Sequence, residues 1–394
     1  MPDKDGHKRG SFNIVVLAPT GIAALNVDGQ TIHSFFSLPI GYLDQNIINL
    51  EHRPMNTDIY RQLDIVVIDE VSMLRADILD AIDYRLRMYG RDKRKPFGGI
   101  RIIFVGDLFQ LPPIIEEEYS KIFYSVYKTR YFLSAHVINQ IELKVLPLNE
   151  SFRQSEIEYL NALDAVRTGI FTDEHIDLFN SRLIENVDNT VLRITPKNNT
   201  VRHINSIRLK ELSEPEFSYK AEFSGNTDDL KNKQLPAEKV LKLKAGARVV
   251  FIKNDVDKKW INGTLGTVKS VSKEWVEIQL DEDKIIYKVD TNDGTWEKFY
   301  YKWNHETRSV EREIKWVMKQ IPLRLAWALT IHKSQGMTFD NLYVDLSESC
   351  FETGQLYVAL SRCRTLEGLK LSNKIWHNDV KVDPLITELY NRFE

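Results

Sequence analysis

Residues 63–70 read Leu-Asp-Ile-Val-Val-Ile-Asp-Glu, and their reading decides the fold. Ile65 to Ile68 is a continuous β-branched run rather than an alternating one, which predicts a strand covered on both faces. The run ends on two adjacent carboxylates, Asp69 and Glu70. Beyond it, Leu74, Ile78, Leu79, Ile82 and Leu86 recur at helical spacing across 74–89. Residues 100–105 (IRIIFV) form another apolar run, which stops at Gly106-Asp107. On the other side, residues 12–18 (FNIVVLA) lead through Pro19-Thr20-Gly21 into GIAALNV, a strand, a tight loop and a helix start. Strands that alternate with helices specify a parallel α/β sheet. Such sheets collect their ligands at the C-terminal ends of the strands. All three runs end there in small, polar or acidic residues.

Further along, residues 155–185 are helical in pattern, and 191–195 (VLRIT) open a second α/β unit. From 236 to 320 the texture changes. Short alternating runs (ARVVFI, GTVKSV, WVEIQL, KIIYKV) are separated by turn signals at Asn262-Gly263, Asp281-Glu282 and Asn292-Asp293-Gly294. This predicts a small antiparallel barrel or curled sheet. After Pro322 the α/β texture returns through LRLAWALTIHKSQG and NLYVDL.

Composition narrows the function classes. With Lys+Arg at 53 and Asp+Glu at 56, the 394-residue chain has a net charge of -3, so a uniformly basic nucleic-acid binder is excluded. A nucleic-acid site has to be a local patch or groove. Two cysteines, Cys350 and Cys363, make neither a disulfide framework nor a zinc quartet and fit a reducing, intracellular compartment. Residues 1–11 are polar and carry no apolar signal core. No stretch approaches the ~20 apolar residues a membrane span requires.

Several segments offer chemistry, each with a plainer alternative. Asp69 and Glu70 suit Mg²⁺ ligation and activation of water in a nucleotide hydrolase; otherwise they are a buried strand ending in acids. Gln110, three residues past Asp107, can meet a γ-phosphate or a lytic water through its amide; otherwise it sits in a turn before Pro112-Pro113. Arg153 in NESFRQ and Arg362 in LYVALSR suit a transferring phosphoryl group; otherwise they are salt-bridge partners. Lys333, Ser334 and Thr338 suit phosphate contacts, whereas His332 by itself reads as structural. Thr20 and Gly21 stand at a helix start, where N–H groups suit phosphate, and His33, Ser34, Phe35 and Phe36 follow. Phe35 and Phe36 either stack bases or pack a core. Trp296, Phe299, Tyr300, Tyr301 and Trp303, interleaved with Lys298 and Lys302, are either a binding face or a barrel core. Arg91 to Lys95 reads as a solvated charged loop.

Taken in order, these segments resemble one family. APTGIAALN, GQTIHSFF, VIDEVSM, VGDLFQLPP, NESFRQ, TIHKSQGMTFD and LYVALSRCR are similar to the motifs of superfamily-one DNA helicases. The helix LDAIDYRLR followed by KPFGGIRIIFVGD resembles the signature of the PIF (petite integration frequency) group, with RecD as its near relative. The resemblance implies two RecA-like parallel-sheet motor domains, with a small SH3-like β domain inserted in the second. The implied bounds are 11–150 for the first motor domain, 151–235 and 321–394 for the second, and 236–320 for the insert. It implies ATP and Mg²⁺ as cofactors, with Asp69 holding the metal and Glu70 activating water. Gln110, Arg153 and Arg362 would contact the γ-phosphate, with Gly336 beside the nucleotide. Thr20, Gly21, His33, Ser34, Phe36, His332 and Lys333 would line the nucleic-acid track. The implied partners are single-stranded DNA and forked or structured DNA, with no membrane, acting as a monomer. The implied setting is DNA repair, recombination and telomere maintenance, in the nucleus or mitochondrion of a eukaryote or the cytoplasm of a bacterium. Residues 41–57 are the candidate strand-separating wedge.

One motif of the family is absent. No G-x-x-x-x-G-K-[ST] occurs in the 394 residues: Gly98-Gly99-Ile100 lacks the lysine, and His332-Lys333-Ser334 lacks the glycines. The family places this phosphate loop upstream of APTGIAALN, so the expectation is an N-terminally truncated chain. Its first domain would be incomplete and expose a hydrophobic seam, and tight ATP binding would be lost. The alternative is a non-catalytic nucleic-acid-binding remnant, a pseudo-helicase. A RecD-like nuclease subunit is disfavoured by KPFGG.

Overall fold

A computed structural model of the chain describes residues 12–44, 54, 57–148, 150–227, 235–347 and 352–390. The chain forms two compact units. The first is Met1–Leu108, Pro112–Val145 and Glu297–Trp316; the second is Phe109–Leu111, Leu146–Trp296 and Val317–Glu394.

The first unit is built on a parallel sheet in the order β2-β1-β3-β4. Its strands are β1 (Ile14–Ala18), β2 (Gln30–Thr31), β3 (Ile65–Ile68) and β4 (Arg101–Phe104). The uninterrupted β-branched runs sit in the middle, where β3 pairs with β1 on one side (Leu17↔Ile68) and β4 on the other (Ile68↔Phe104). The helical spacing read over 74–89 forms the helix Ala76–Tyr89. Its Ile78, Leu79, Ile82 and Leu86 join Val15, Leu17, Val66 and Ile68 in one buried cluster. Each such side chain taken from water is worth about 1.5–3 kcal/mol. Two short helices, α1 (Gly21–Asn26) and α2 (Ile32–Phe36), follow β1 and β2 directly. Strand β4 ends the sheet, and among the described residues nothing pairs with its outer side. Ile103 and Val105 are 40% and 41% exposed there, alongside the exposed Arg101.

The second unit holds a parallel sheet ordered β16-β5-β17-β18 and, beside it, antiparallel sheets. Strand β5 is Leu192–Thr195. Short strands β6 (Phe217–Lys220) and β8 (Val240–Leu243) pair antiparallel, with β7 at Glu222–Gly225 between them in sequence. The alternating runs then give β9 (Arg248–Phe251), β10 (Leu265–Val271), β11 (Trp275–Leu280) and β12 (Ile286–Asp290). A long hairpin follows, β13 (Thr295–Asn304) and β14 (Ser309–Lys319), and then β15 (Leu323–Leu325). Strands β12-β11-β10-β9-β15 make one five-stranded antiparallel sheet over a core that includes Val249, Phe251, Val268, Val276 and Ile278. Two of the predicted turns lie between its strands and the third leads from β12 into the hairpin that follows; Gly263 takes φ +99°, which the Asn-Gly pair suits. The hairpin behaves differently from the sheet beside it. Its outer part, Glu297–Trp316, belongs to the first unit, and Phe299 and Tyr301 lie in that unit's core. The remaining strands are β16 (Ala328–Thr330), β17 (Leu342–Val344) and β18 (Leu369–Leu371).

The two parallel sheets repeat one arrangement. Strand β1 runs through Pro19-Thr20-Gly21 into α1, and β5 runs through Pro196-Lys197-Asn198 into the helix Asn198–Glu211. Beside β1 lies β2, and beside β5 lies β16, each parallel. Both of these neighbours continue into Thr-Ile-His, at Thr31-Ile32-His33 and Thr330-Ile331-His332. No helix among the described residues is long and apolar enough to cross a membrane.

Candidate functional site

In the first unit, the chemistry stands at the C-terminal end of β3. The Asp69 N–H donates to the Leu17 carbonyl at 2.9 Å, which continues the strand pairing by one residue. Glu70 then turns sharply, at φ 51° and ψ 47°. A non-glycine residue rarely adopts that left-handed conformation. The surrounding structure holds it there: Val71 N–H donates to the Val105 carbonyl at 3.0 Å, and Val105 N–H to the Ile68 carbonyl at 2.8 Å. Gly106 is required beside it, since its φ is +150° and a Cβ would lie 2.9 Å from the Val71 nitrogen. Both carboxylates are half-buried. Adjacent hard oxygen donors at a sheet edge fit Mg²⁺, which takes one or two carboxylates and completes its shell with water and phosphate. No group of three or more metal-ligating side chains occurs among the described residues. A triphosphate fits less well: the sequence contains no glycine-rich loop ending in Lys-Ser or Lys-Thr.

In the second unit, three distant motifs meet. The Gln335 amide Nε2 donates to Gln110 Oε1 at 3.0 Å. Gly336 follows at φ +80°, and Gly354 (φ +72°) packs so closely under Gln110 that a Cβ would lie 2.6 Å from the Gln110 carbonyl oxygen. Arg362 is 1% exposed. Its guanidinium donates to the Val358 carbonyl (2.9 Å), the Met337 carbonyl (3.3 Å) and Ser361 Oγ (2.8 Å). It thereby ties the chain just past Gly336 to the helix Gln355–Leu360. Arg153 is half-buried, and its neighbour Gln154 donates to the carbonyls of Ser361 and Cys363, each at 3.0 Å. The structure therefore brings Gln110 to Gly336, and the Arg153 segment to Arg362. Gln335 was not singled out from sequence, although it lies inside TIHKSQG.

The nucleic-acid candidates divide. Thr20 caps α1, its Oγ1 accepting from Ala23 N–H at 3.2 Å, with Gly21 the first helical residue. His33 is held below the ordinary histidine range, first by burial and then by the Arg75 charge, with Asp77 opposing. Burial likewise pushes His332 down, opposed by Glu352. Lys333 is lowered by burial first, then by the charges of Arg324 and Arg202, with Glu238 opposing. Phe36 requires a correction. It is fully buried, stacked on Tyr60 at 5.6 Å, so its ring serves the core and offers no face to a base. Phe35 also packs inside, edge-on to Phe36 at 4.8 Å. Trp296, Phe299 and Tyr301 are buried as well, which favours the core reading of that aromatic run. In the charged loop, Arg91 pairs with Asp64 at 3.0 Å. Most of the wedge candidate 41–57 lies outside the described residues.

One set of contacts had no signal in the sequence. The Tyr301 N–H of β13 donates to Gln30 Oε1 at 3.1 Å, and Gln30 Nε2 donates to Ser34 Oγ at 2.9 Å. Arg312 of β14 donates to the Asp28 carboxylate (2.5 Å) and carbonyl (2.7 Å), and its guanidinium lies over the Phe299 ring at 4.5 Å. These pairs are separated by about 270–285 positions in the chain, a range over which side-chain pairing leaves no periodic trace.

Comparison with known proteins agrees with the motif order. The family model described as PIF1-like helicase matches residues 7–198. The ATP-dependent DNA helicase Pif1 of Bdellovibrio bacteriovorus is 32% identical, over 96% of this chain and 82% of its own length. That of Campylobacter jejuni is 29% identical, over 96% and 88%. Among solved structures, unliganded Pif1 from Bacteroides sp superposes with a TM-score of 0.87 at 32% identity, covering 97% of this chain and 88% of that one. Bacteroides Pif1 bound to ssDNA superposes with a TM-score of 0.68 at 33% identity, covering 97% and 87%.

Proposed function

The chain belongs to the PIF1-like helicase family, and from that premise we propose that it grips single-stranded and forked DNA as part of an ATP-dependent motor that translocates and unwinds duplex. The observation that carries this reading is the convergence in the second unit of Gln110, Gln335-Gly336 and Arg362, from three separate motifs, through direct hydrogen bonds. A phosphate-sensing cluster needs its amides and guanidinium set before substrate arrives. The carboxylate pair at the end of β3 supplies the metal-holding half of such chemistry. Asp69 would hold Mg²⁺, which would polarise a phosphoryl oxygen, and Glu70 would orient the attacking water. Gln110 and Arg153 would report on the γ-phosphate, and Arg362, enclosed at 1% exposure, would hold the turn past Gly336 in place for them.

The 394 residues carry no phosphate-cradling loop, so we propose that this chain binds DNA yet does not hydrolyse ATP unless such a loop is supplied. A non-catalytic nucleic-acid-binding protein is the second reading. We further propose an SH3-like character for the five-stranded sheet, a monomer in solution, an intracellular setting, and the domain bounds 11–150, 151–235, 236–320 and 321–394, save for Glu297–Trp316, which packs with the first unit. Single-strand-stimulated ATPase is the deciding measurement, on the purified chain with and without an added segment bearing the loop. The expected result is DNA binding with background hydrolysis for the chain alone. Turnover in the ordinary helicase range by the unsupplemented chain would overturn the proposal. Failure to bind a single strand at all would overturn the family-based reading.

A further inference from the structure

Gln30 is 2% exposed and uses both ends of its amide. Which end faces which partner is settled by chemistry. The Tyr301 partner is a backbone N–H, which only donates, so the amide oxygen must face it. The amide NH₂ must then face Ser34, and the Ser34 oxygen must accept. A hydroxyl that accepts from an amide keeps its own proton for another partner. Among the described residues no acceptor takes that proton. Ser34 is half-buried and borders a cavity of about 60 Å³ that Ser37 and Tyr300 also line. That space has room for water or for phosphate oxygens.

We propose that Gln30 is a positioning residue that sets Ser34 as a hydrogen-bond donor toward a DNA phosphate, with the backbone of β13 holding Gln30 in register. This rests on the DNA-binding reading above. A hydroxyl proton aimed at a phosphate makes a charge-assisted hydrogen bond. A hydroxyl forced to donate to the protein instead turns its lone pairs toward the anion and repels it. The hairpin segment 297–316 thus acts on the first unit's DNA contact through one buried amide.

The test is a double-mutant cycle on the full chain, read by fluorescence anisotropy with labelled oligo-dT at fixed ionic strength. Gln30→Glu keeps an acceptor for Tyr301 N–H but presents Ser34 with a second acceptor, which reverses the hydroxyl. It also adds a charge, but that effect is the same whether or not Ser34 is present and cancels in the cycle. Gln30→Glu should weaken binding at least about fivefold more in the Ser34 background than in the Ser34→Ala background. Equal losses in the two backgrounds, with binding intact in the unaltered chain, would show a merely structural role and overturn the inference alone. Absence of binding by the unaltered chain would remove the DNA reading and this inference with it. Circular dichroism checks folding. Should the carboxylate prevent it, Gln30→Met in the same two backgrounds gives the same comparison, with the loss again confined to the Ser34 background.

Discussion

The two Thr-Ile-His turns occupy the same place in two repeated sheets and are held in opposite ways. The second is braced locally: Thr330 Oγ1 accepts from Lys333 N–H at 3.2 Å, and Ser334 Oγ donates to the Ile331 carbonyl at 2.8 Å. The first has no side-chain cap at Thr31. It is held instead by Gln30, and through it by a strand about 270 positions away. The turns also differ in what they present, since Ser34 stands where the second turn has Lys333. One offers a hydroxyl and the other a cation. The same tripeptide in the same slot can therefore take its rigidity from either end of the chain's distance scale, and its chemistry from the next residue.

That contrast can be broken experimentally, beginning with the largest effect. Lys333→Ala should weaken oligo-dT binding about tenfold and lower the slope of log affinity against log salt by roughly 0.7, one phosphate's share on a single strand. Ser34→Ala should weaken binding without changing the slope, because it removes no charge. A salt titration of both variants reads this, and equal slopes would erase the proposed division between cation and hydroxyl. Next, Thr330→Ala should destabilise the chain by about 1 kcal/mol through the lost cap, and Thr31→Ala by less than about 0.5 kcal/mol. Urea midpoints decide, and similar losses would mean that the first turn is also locally braced.

The smallest effect is shared by the two turns. Burial holds both His33 and His332 below the ordinary histidine range in the folded chain. The unfolded chain therefore takes up protons first as pH falls below about 6.5. Stability should be full above that pH and decline as pH drops toward the lowered folded values. His33→Gln and His332→Gln should each flatten the decline, read as melting temperature against pH. An unchanged slope in both would mean that other groups carry it.

Much of this was legible beforehand because the signals are local. The strand 65–68 is a continuous β-branched run, 192–195 lies in the apolar stretch that opens the second α/β unit, and the helix Ala76–Tyr89 follows its apolar spacing. The helical stretch 155–185 resolves into Ile157–Thr168 and Asp173–Asn180, parted at Gly169 with φ +77°. Asp69, Glu70 and the cap at Thr20 follow from what ends a strand or begins a helix. Phe36 was not legible. An aromatic pair at a helix surface can face a ligand or a core, and only the position of Tyr60 decides it. The hairpin was equally opaque, since alternation in β13 and β14 shows that two strands pair but not which core receives Phe299 and Tyr301.

The sequence by itself determined the family, the two parallel sheets, the carboxylates after β3 and the lack of a phosphate loop within these residues, because motifs and periodicities depend on neighbours in the chain. Only the tertiary structure decided that Arg362 is enclosed by its own backbone carbonyls, that Gln110 meets Gln335, that Phe36 is core, and that Gln30 fixes the direction of the Ser34 hydroxyl. Gln110 and Gln335 lie 225 positions apart and Gln30 and Tyr301 lie 271 apart, while Arg362 and Phe36 are fixed by packing that the spacing of their motifs does not show; each outcome depends on which groups meet in space.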